Sequence, residues 1–521
     1  MACEIDITSG KDAHFMLRSH AEKRPQAPYL HWAPFVGDAV TYSYREFFDR
    51  MAALAAGLQA RGVAKGDFVL LHAQNCPEFL LTWHACAAIG AVVVTTNPRS
   101  SRDEMRYFIE HSKVKFAVVQ AAYLDLIGET GAQFEWLAVI AADGIEAPAV
   151  LPDGTLAFEN LIGDAADFEH IPSDPMAPLS VQYTSGTTSL PKGVVWTHAN
   201  ALWAGQVGSM HKSLRDDDTA LITTPLCHTN AMSWAHLPSL WAGGAIALQP
   251  KFSASRFWDV ALRHRCTWGT VIPFAVKALA PQPVPPDHAM RFWIVGAANI
   301  GPLDEHFSVE IVGAWGMTET VIHATYTPPQ LPSPPLSMGM PMPEYGFRLE
   351  RDDGSAPVEG EAGLLKIKGE RGVSLFLEYL HNPDATAESF DAGGWFDTGD
   401  RVIQSTQGHF RFADRAKDML KVGAENVAAS EVEAAIATVP DVIESAVVAK
   451  PDPMKDEVPV AFVRTEKPSD ELRETIFATC REKLADFKVP VAIVFCEDFP
   501  RAEVNKVAKG KLRDEAAALE L

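Results

Sequence analysis

Between Val181 and Asn200 the chain reads VQYTSGTTSLPKGVVWTHAN, a stretch poor in fold-building residues and rich in groups that hold phosphate. Phosphate is bound by hydroxyls, by backbone N–H groups that the anion can approach, and by a nearby cation. Thr184, Ser185, Gly186, Thr187, Thr188 and Lys192 supply all three kinds of donor, and Pro191 ends the loop. Tyr183 closes an apolar run on one side and Val194, Val195 and Trp196 open another, so the loop reads as a turn between two strands. The spacing is not G-x-x-x-x-G-K-[ST], because Gly186 is followed by ThrThrSerLeuPro before Lys192 and Gly193. Standing alone, such a loop also fits a hydroxyl-rich surface turn.

Four further polar blocks follow it: GAWGMTET (Gly313 to Thr320), GWFDTGD (Gly394 to Asp400), RFADRAKDMLKVGAENVAASEVE (Arg411 to Glu433) and PRAEVNKVAKGKLR (Pro500 to Arg513). In kind and order these blocks resemble the adenylate-forming superfamily, which contains acyl-CoA synthetases, peptide-synthetase adenylation domains and luciferases. The likeness is greatest to the acyl-CoA ligases and extends over essentially the whole chain.

The resemblance implies an ATP-dependent acyl-CoA ligase, an AMP-forming acid–thiol ligase. A carboxylate attacks the α-phosphorus of MgATP to give acyl-AMP and pyrophosphate, and the thiol of coenzyme A then takes the acyl group. Two alternatives are transfer to a carrier-protein thiol and a nucleotide-binding relative without turnover. Such a site needs a cradle for the leaving phosphates, Mg²⁺, and a cation near the bridging oxygens. Carried over position by position, Thr184, Ser185, Gly186, Thr187 and Thr188 would hold the leaving phosphates, with Lys192 adding charge. Thr318 would touch the α-phosphate and Glu319 would hold the metal, since a hard cation prefers carboxylate oxygen. Trp315 stands where the family usually has a tyrosine on the adenine, and Gly296, Ala297 and Ala298 would lie beside that ring. Asp400 would accept the ribose hydroxyls, with Arg415 as the matching donor. Lys506 corresponds to the catalytic lysine, preceded by Asn505 where the pattern has Gly. Lys417 corresponds to a hinge about which a C-terminal domain turns between the half-reactions. That turn would exchange Lys506 for the Lys421 to Asn426 loop, whose Gly423 backbone would flank the thiol. Ala424 replaces the second glycine of that loop.

The acid itself is read from PLCHTNAMSW (Pro225 to Trp234), which matches a block carrying an aromatic gate; His228 falls on the gate position. No Asp lies between Pro225 and Trp241, which argues against an amino-acid substrate. Gly316 stands where acetate-specific relatives close the pocket with Trp, so the acid should be larger than acetate. Ala231, Trp234, Ile272, Gly316 and Met317 would line a mostly apolar cavity for an aromatic, medium-chain or alicyclic acid. The overall texture also resembles the carnitine and crotonobetaine CoA ligase branch.

The elements that must position these residues follow from periodicity. Ser43 with Glu46, and Ser101 with Glu104, are capping boxes. Phe47, Met51, Leu54 and Leu58 recur at helical spacing, Gly62 closes that helix, and Pro77 suits a first helical position. Phe68 to Leu71 and Phe116 to Val119 read as strands, and alternating units of this kind predict a largely parallel sheet flanked by helices. Prolines 148, 152, 172, 175 and 178 carry the chain across the surface to the phosphate loop, and a second α/β unit spans about 199 to 325. A Pro-rich connection (Gln330 to Gly346) leads to antiparallel hairpins around Asp353-Gly354, a small β-barrel-like subdomain. Ser430 and Glu433 predict the cap of a short helix, Glu444 to Ala449 and Val458 to Val463 strands, and Asp470 to Leu484 a helix. The expected division is a large N-terminal α/β AMP-binding domain over 1–416 and a smaller mobile α+β domain over 417–521.

At 521 residues, 47% hydrophobic and 21% charged, the chain has the composition of a globular protein of several domains. Its net charge of −22 argues against a nucleic-acid surface. Seven scattered cysteines without CxxC spacing indicate neither a disulfide framework nor a zinc site. MACEIDITSGKD lacks the marks of a signal peptide, and Phe79 to Val94 reads as a buried helix and strand rather than a membrane span. A cytoplasmic enzyme is expected; its oligomeric state is left open, a homodimer included.

Overall fold

The computed structural model describes residues 8–184, 191–296, 303–334, 337–351, 353–415, 419–423, 425–500, 507 and 509–519, with backbone only at 413–415, 419, 426, 428 and 430. Both predicted capping boxes form: Ser43 starts the helix Tyr44–Ala60 and Ser101 the helix Arg102–Ser112. Pro77 opens the helix Pro77–Ile89, whose side chains are almost all buried. Gly90, at φ +73°, ends it in the left-handed conformation that a residue with a side chain adopts reluctantly. The strand Val92–Thr95 follows at once.

Two large sheets form the N-terminal body, and their strands are interleaved in the chain. In the first, Val92–Thr95, Phe68–His72, Phe116–Gln120, Trp136–Ile140 and Thr155–Ala157 run parallel in that spatial order. Pro178–Thr184 extends it beside Val92–Thr95, and Lys192–Thr197 adds to it antiparallel. The second sheet has a parallel centre of Ala245–Leu248, Thr219–Ile222, Trp268–Thr270, Phe292–Val295 and Glu310–Trp315. The boundary implied by a first and a second α/β unit fails at two places. Pro28–Trp32 and Val40–Ser43 belong to the second sheet, with Leu30 in register with Ile246. Glu378–Tyr379 returns to the edge of the first, against Val194 and Val195.

The hairpin at Asp353-Gly354 joins Gly346–Glu350 to Gly363–Lys368, and with Phe396–Gln404 and Phe410–Arg415 they make a four-stranded antiparallel sheet. The smaller C-terminal unit is a mixed sheet. Its hairpin Glu444–Asp452 with Asp456–Arg464 is packed on one face by Ala429–Ile436 and Asp470–Lys483 and on the other by Lys509–Ala518. The helix after residue 428 starts at Ala429, one residue before the expected cap, so Ser430 lies inside its first turn. Glu433 instead accepts hydrogen bonds from Val447 N and Lys509 Nζ at 2.7 Å each, tying the helix to the sheet and to the last helix.

Candidate active site

One cavity opens between the N-terminal body and the C-terminal unit, and strand ends from both large sheets point their polar residues into it. Thr184 and Lys192, the last and first residues of adjacent antiparallel strands, stand in register across the mouth of the 185–190 loop. Lys192 Nζ lies 4.3 Å from the centroid of the Tyr379 ring. The strand Glu310–Trp315 delivers the next group. Gly316 passes so close to the following turn that a Cβ there would sit 2.8 Å from Ile322 O and 2.9 Å from His323 Cα. The fit leaves no room for a side chain at 316 without moving backbone. Glycine here is therefore a packing requirement of the turn as well as a wall of the cavity.

That turn, Thr318–Thr320, is fixed from three sides. Trp196 Nε1 donates to Thr318 O at 2.8 Å, Phe376 N donates to Glu319 O at 2.8 Å, and Tyr379 OH donates to Glu319 Oε1 at 2.8 Å. Both Tyr379 and Glu319 are buried. Glu319 lines the cavity together with Thr184 and Thr318, a set of oxygen donors that suits a hard divalent cation. Asp400 sits in the strand Phe396–Gln404, buried, directly opposite Arg415 in the register. Trp315 Nε1 donates to Asp400 Oδ2 at 2.9 Å, so this indole orients the carboxylate from behind rather than lining the cavity.

A second cluster spans the two units. His228 Nε2 lies 3.2 Å from Glu425 Oε1, and Asn97 Nδ2 donates to the same oxygen at 2.9 Å. Burial opposes both charges, yet each outweighs it for the other. Glu425 is held down at about 2 by His228 and its hydrogen bonds, and His228 is raised by Glu425. Beside it, Lys488 is buried between Glu104 of the N-terminal body and Glu431 of the C-terminal unit, the latter at 2.7 Å. Burial works against that ammonium and the two carboxylates overcome it, raising Lys488. Ser101 Oγ to Lys483 O (2.8 Å), Arg102 to Glu482 (2.5 Å), Arg99 to Asp486 (2.6 Å) and Lys277 to Asp456 (2.8 Å) add to the contact.

Of the residues expected from sequence, Thr184, Lys192, His228, Trp234, Gly316, Met317, Thr318, Glu319 and Asp400 share the cavity. Gly423 lies two residues from Glu425, at φ +65°, its N–H bonded to Lys455 O at 2.6 Å. Ala231 is buried in the core, and Ile272 and Gly296 lie outside the cavity lining. Ser185, Gly186, Thr187, Thr188, Ala297, Ala298, Lys417 and Lys506 fall outside the described residues, as does the side chain of Arg415. Tyr379, Asn97, Glu425 and Lys488 were not singled out from sequence. Glu425 lies in the Lys421 to Asn426 loop, whose resemblance marks only its backbone, and no local pattern marks Tyr379.

Residues 17–380 match the family model of the AMP-binding enzymes, and residues 431–506 that of the AMP-binding enzyme C-terminal domain. A crotonobetaine/carnitine–CoA ligase of Proteus mirabilis is 33% identical over 488 residues, covering 92% of this chain and 94% of the relative. The o-succinylbenzoate CoA synthetase of Bacillus subtilis, as a double mutant bound with its product analogue OSB-NCoA, superposes with a TM-score of 0.83 at 25% identity, covering 96% of this chain and 98% of that one. The same synthetase in complex with AMP superposes with a TM-score of 0.67, again at 25% identity and with the same coverage. Among the described residues no helix is long and apolar enough to cross a membrane. With a family model covering well over half the chain and a nucleotide-sized polar cavity at the junction of its two parts, the chain belongs to the AMP-binding enzyme family and is an ATP-dependent, AMP-forming acid–thiol ligase of the acyl-CoA synthetase class.

Proposed function

We propose that the protein activates a carboxylic acid larger than acetate, with a mostly apolar body, and joins it to coenzyme A in two steps at this cavity. Thr184, Lys192 and the 185–188 segment take the leaving pyrophosphate. Thr318 donates to the α-phosphate, Asp400 accepts from the ribose with Arg415 as its partner, and Lys506 bridges the attacking carboxylate and the phosphate. Glu319, oriented by Tyr379, holds Mg²⁺, which when bound neutralises charge on the phosphates as the bond to the leaving group breaks. Excluding water is the work of the C-terminal unit, which covers the cavity through the Lys488 contact. His228, Trp234, Gly316 and Met317 bound the acyl end of the cavity.

The observation that carries this reading is the placement of Glu425, two residues along the loop from Gly423, beside His228, in the same cavity as Thr184, Lys192, Glu319 and Asp400. A thiol entering along that loop meets an acyl group whose phosphate lies on Thr318. The arrangement of the two parts is that of the thioester-forming step. The higher TM-score to the relative bound with its product analogue, against the same relative bound with AMP, supports this. Formation of the adenylate then requires a turn about Lys417, dividing the chain into 1–416 and 417–521. The setting is the cytoplasm, where coenzyme A and MgATP are both supplied.

The test is pyrophosphate release from MgATP across aliphatic, aromatic, alicyclic and carnitine-like acids, with and without coenzyme A, beside Lys506→Ala. Turnover that needs coenzyme A and is lost in the variant supports the ligase. Adenylate formation to which coenzyme A adds nothing points to a carrier-protein thiol, and no turnover with any acid overturns the reading.

A further inference from the structure

Two carboxamides line the cavity among the described residues, and they are used differently. That of Asn97 is spent on the domain contact: its Nδ2 donates to Glu425 and meets His228, while its Oδ1 accepts Arg99 N at 2.9 Å. That of Asn230 is only half used. The buried Thr224 hydroxyl donates to Asn230 Oδ1 at 2.8 Å, and Nδ2 has no partner among the described residues. Asn230 is half-buried, and its Nδ2 is not among the unpartnered atoms sealed from solvent, as Trp234 Nε1 is. With its oxygen turned to Thr224, the NH2 group is what Asn230 offers to the cavity.

The surrounding bonds fix where that group stands. Asn230 lies in the short helical turn Thr229–Ala231, just before the wider turn Met232–His236. Thr270 Oγ1 donates to Asn230 O at 3.3 Å and Ser233 Oγ to Thr229 O at 3.1 Å, so the backbone is held as firmly as the amide. One residue back, Thr229 Oγ1 donates to Thr318 Oγ1 at 3.3 Å, which leaves the Thr318 proton for the α-phosphate. Neighbouring Cα atoms are about 3.8 Å apart. The free NH2 therefore belongs to the carboxylate end of the acid, while Trp234, four residues on, adds an apolar ring to the same lining.

An acid with only carbon at this point takes solvent from the NH2 group and returns nothing, whereas an acid with an oxygen there restores the hydrogen bond. We infer that Asn230, its carboxamide oriented by Thr224, is a specificity-determining donor that selects acids with an oxygen acceptor, as an ether, hydroxyl or carbonyl, within the first few atoms beyond the carboxylate. The inference rests on the ligase reading above and narrows it. The body of the acid is apolar, and its oxygen lies near the reacting end. Thr224 acts through Asn230 and is a positioning residue.

Three acids of one length and shape carry the test: pentanoate, ethoxyacetate and 3-methoxypropanoate, the last two with an ether oxygen in place of the third or the fourth carbon. In pyrophosphate release with MgATP and coenzyme A, one ether acid should exceed pentanoate in kcat/KM about fivefold. Asn230→Leu, which keeps the volume and removes the donor, brings that ratio to about one or below. Asn230→Asp, which turns lone pairs toward the ether, inverts it to about fivefold in favour of pentanoate. Thr224→Val frees the amide to turn and cuts the preference to about twofold, and Thr224→Ser restores it. Because each readout is a ratio between acids, partial loss of folded protein leaves it unchanged. Ether acids that the wild type does not prefer to pentanoate, or a preference that survives in Asn230→Leu, overturn the subsite while leaving the ligase in place. A preference lost in Asn230→Leu but untouched in Thr224→Val overturns the role of Thr224. No turnover with these acids or with hexanoate or benzoate overturns the ligase reading and the subsite together.

Discussion

Glu104 joins helix initiation to domain docking, and replacing it with glutamine separates the two. Its Oε2 accepts Ser101 N at 2.7 Å while Ser101 Oγ accepts Glu104 N at 3.3 Å, the capping box of the helix Arg102–Ser112. Its Oε1 accepts from Lys488 across the domain contact. Glutamine serves at this capping position as well as glutamate, so Glu104→Gln should leave the helix intact. Lys488 keeps Glu431 at 2.7 Å, so no charge is left buried alone, which would cost more. With its one oxygen kept on Ser101 N, the glutamine turns its NH2 toward Lys488, so the whole of one buried charge-assisted hydrogen bond is lost, about 2 kcal/mol, or roughly thirtyfold in the balance between this arrangement of the two domains and any other. The half-reactions can be followed separately: adenylate formation by hydroxylamine trapping with pyrophosphate release, and thioester formation from preformed acyl adenylate and coenzyme A. Glu104→Gln should slow the second by up to about thirtyfold and leave the first within about twofold, with Tm nearly unchanged. An equal fall in both halves, or no fall in the second, would refute the assignment of this contact to the thioester step.

Tyr379→Phe removes the donor that orients Glu319 and should raise the Mg²⁺ concentration needed for half-maximal nucleotide binding about fivefold; titration calorimetry with and without Mg²⁺ checks this, and an unchanged Mg²⁺ dependence refutes it. The His228–Glu425 pair joins a raised histidine to a glutamate held at about 2. Its charge attraction is therefore present above the ordinary glutamate range and fades as pH climbs through the raised pKa of His228, above 6.5. The rate advantage of the wild type over Glu425→Gln in thioester formation should then shrink from pH 6.5 to pH 9, and an advantage that grows with pH would contradict the pairing. His14, His72 and His236 are each driven down to about 3 by burial. Neutral in the fold, they contribute full stability above an unfolded pKa of about 6.5 and lose it as pH falls toward 3, by up to about 1.4 kcal/mol per pH unit each. Thermal melts should drop steeply between pH 6.5 and 5, and His72→Gln should flatten that slope; a Tm independent of pH over this range would refute the burial argument.

Local signals were legible in the sequence wherever one residue's chemistry settles a conformation. The capping serines 43 and 101, Pro77 and Gly90 each place a helix end to within a residue. The one misplaced cap, Ser430, sits where the chain passes straight from the strand Glu425–Ala428 into a helix that begins at Ala429, so the cap position falls on Ala428, which has no side-chain oxygen to offer. Motif residues in the blocks around 184, 192, 318 and 400 converge on one cavity: Thr184 ends a strand, Lys192 begins one, Thr318 lies in the turn just beyond one and Asp400 lies within one. What periodicity could not reveal is partnership over distance. Tyr379 matters through Glu319, sixty residues away, Lys488 through Glu104, 384 residues away, and Trp315 through Asp400, 85 residues away. Hydrophobic patterning says which face of an element is buried but not which sheet it joins, so Pro28–Trp32 and Val40–Ser43 were indistinguishable from neighbours of the first sheet.

That interleaving bears on how the chain can be made. The second strand partner of Pro28–Trp32, Ala245–Leu248, leaves the ribosome more than two hundred residues later, and Lys192–Thr197 waits a similar interval for Glu378–Tyr379 to cover its outer edge. At about 5–20 residues per second this is roughly ten to forty seconds per gap, long against hairpin formation or collapse. During synthesis the nascent first sheet therefore presents an unpaired edge beside the loop that will bind phosphate, and an early apolar strand stands without its partner. Neither large sheet is a self-sufficient folding unit: a chain stopped near residue 240 should be insoluble or chaperone-bound, whereas one that has passed residue 380 has the strands to close both.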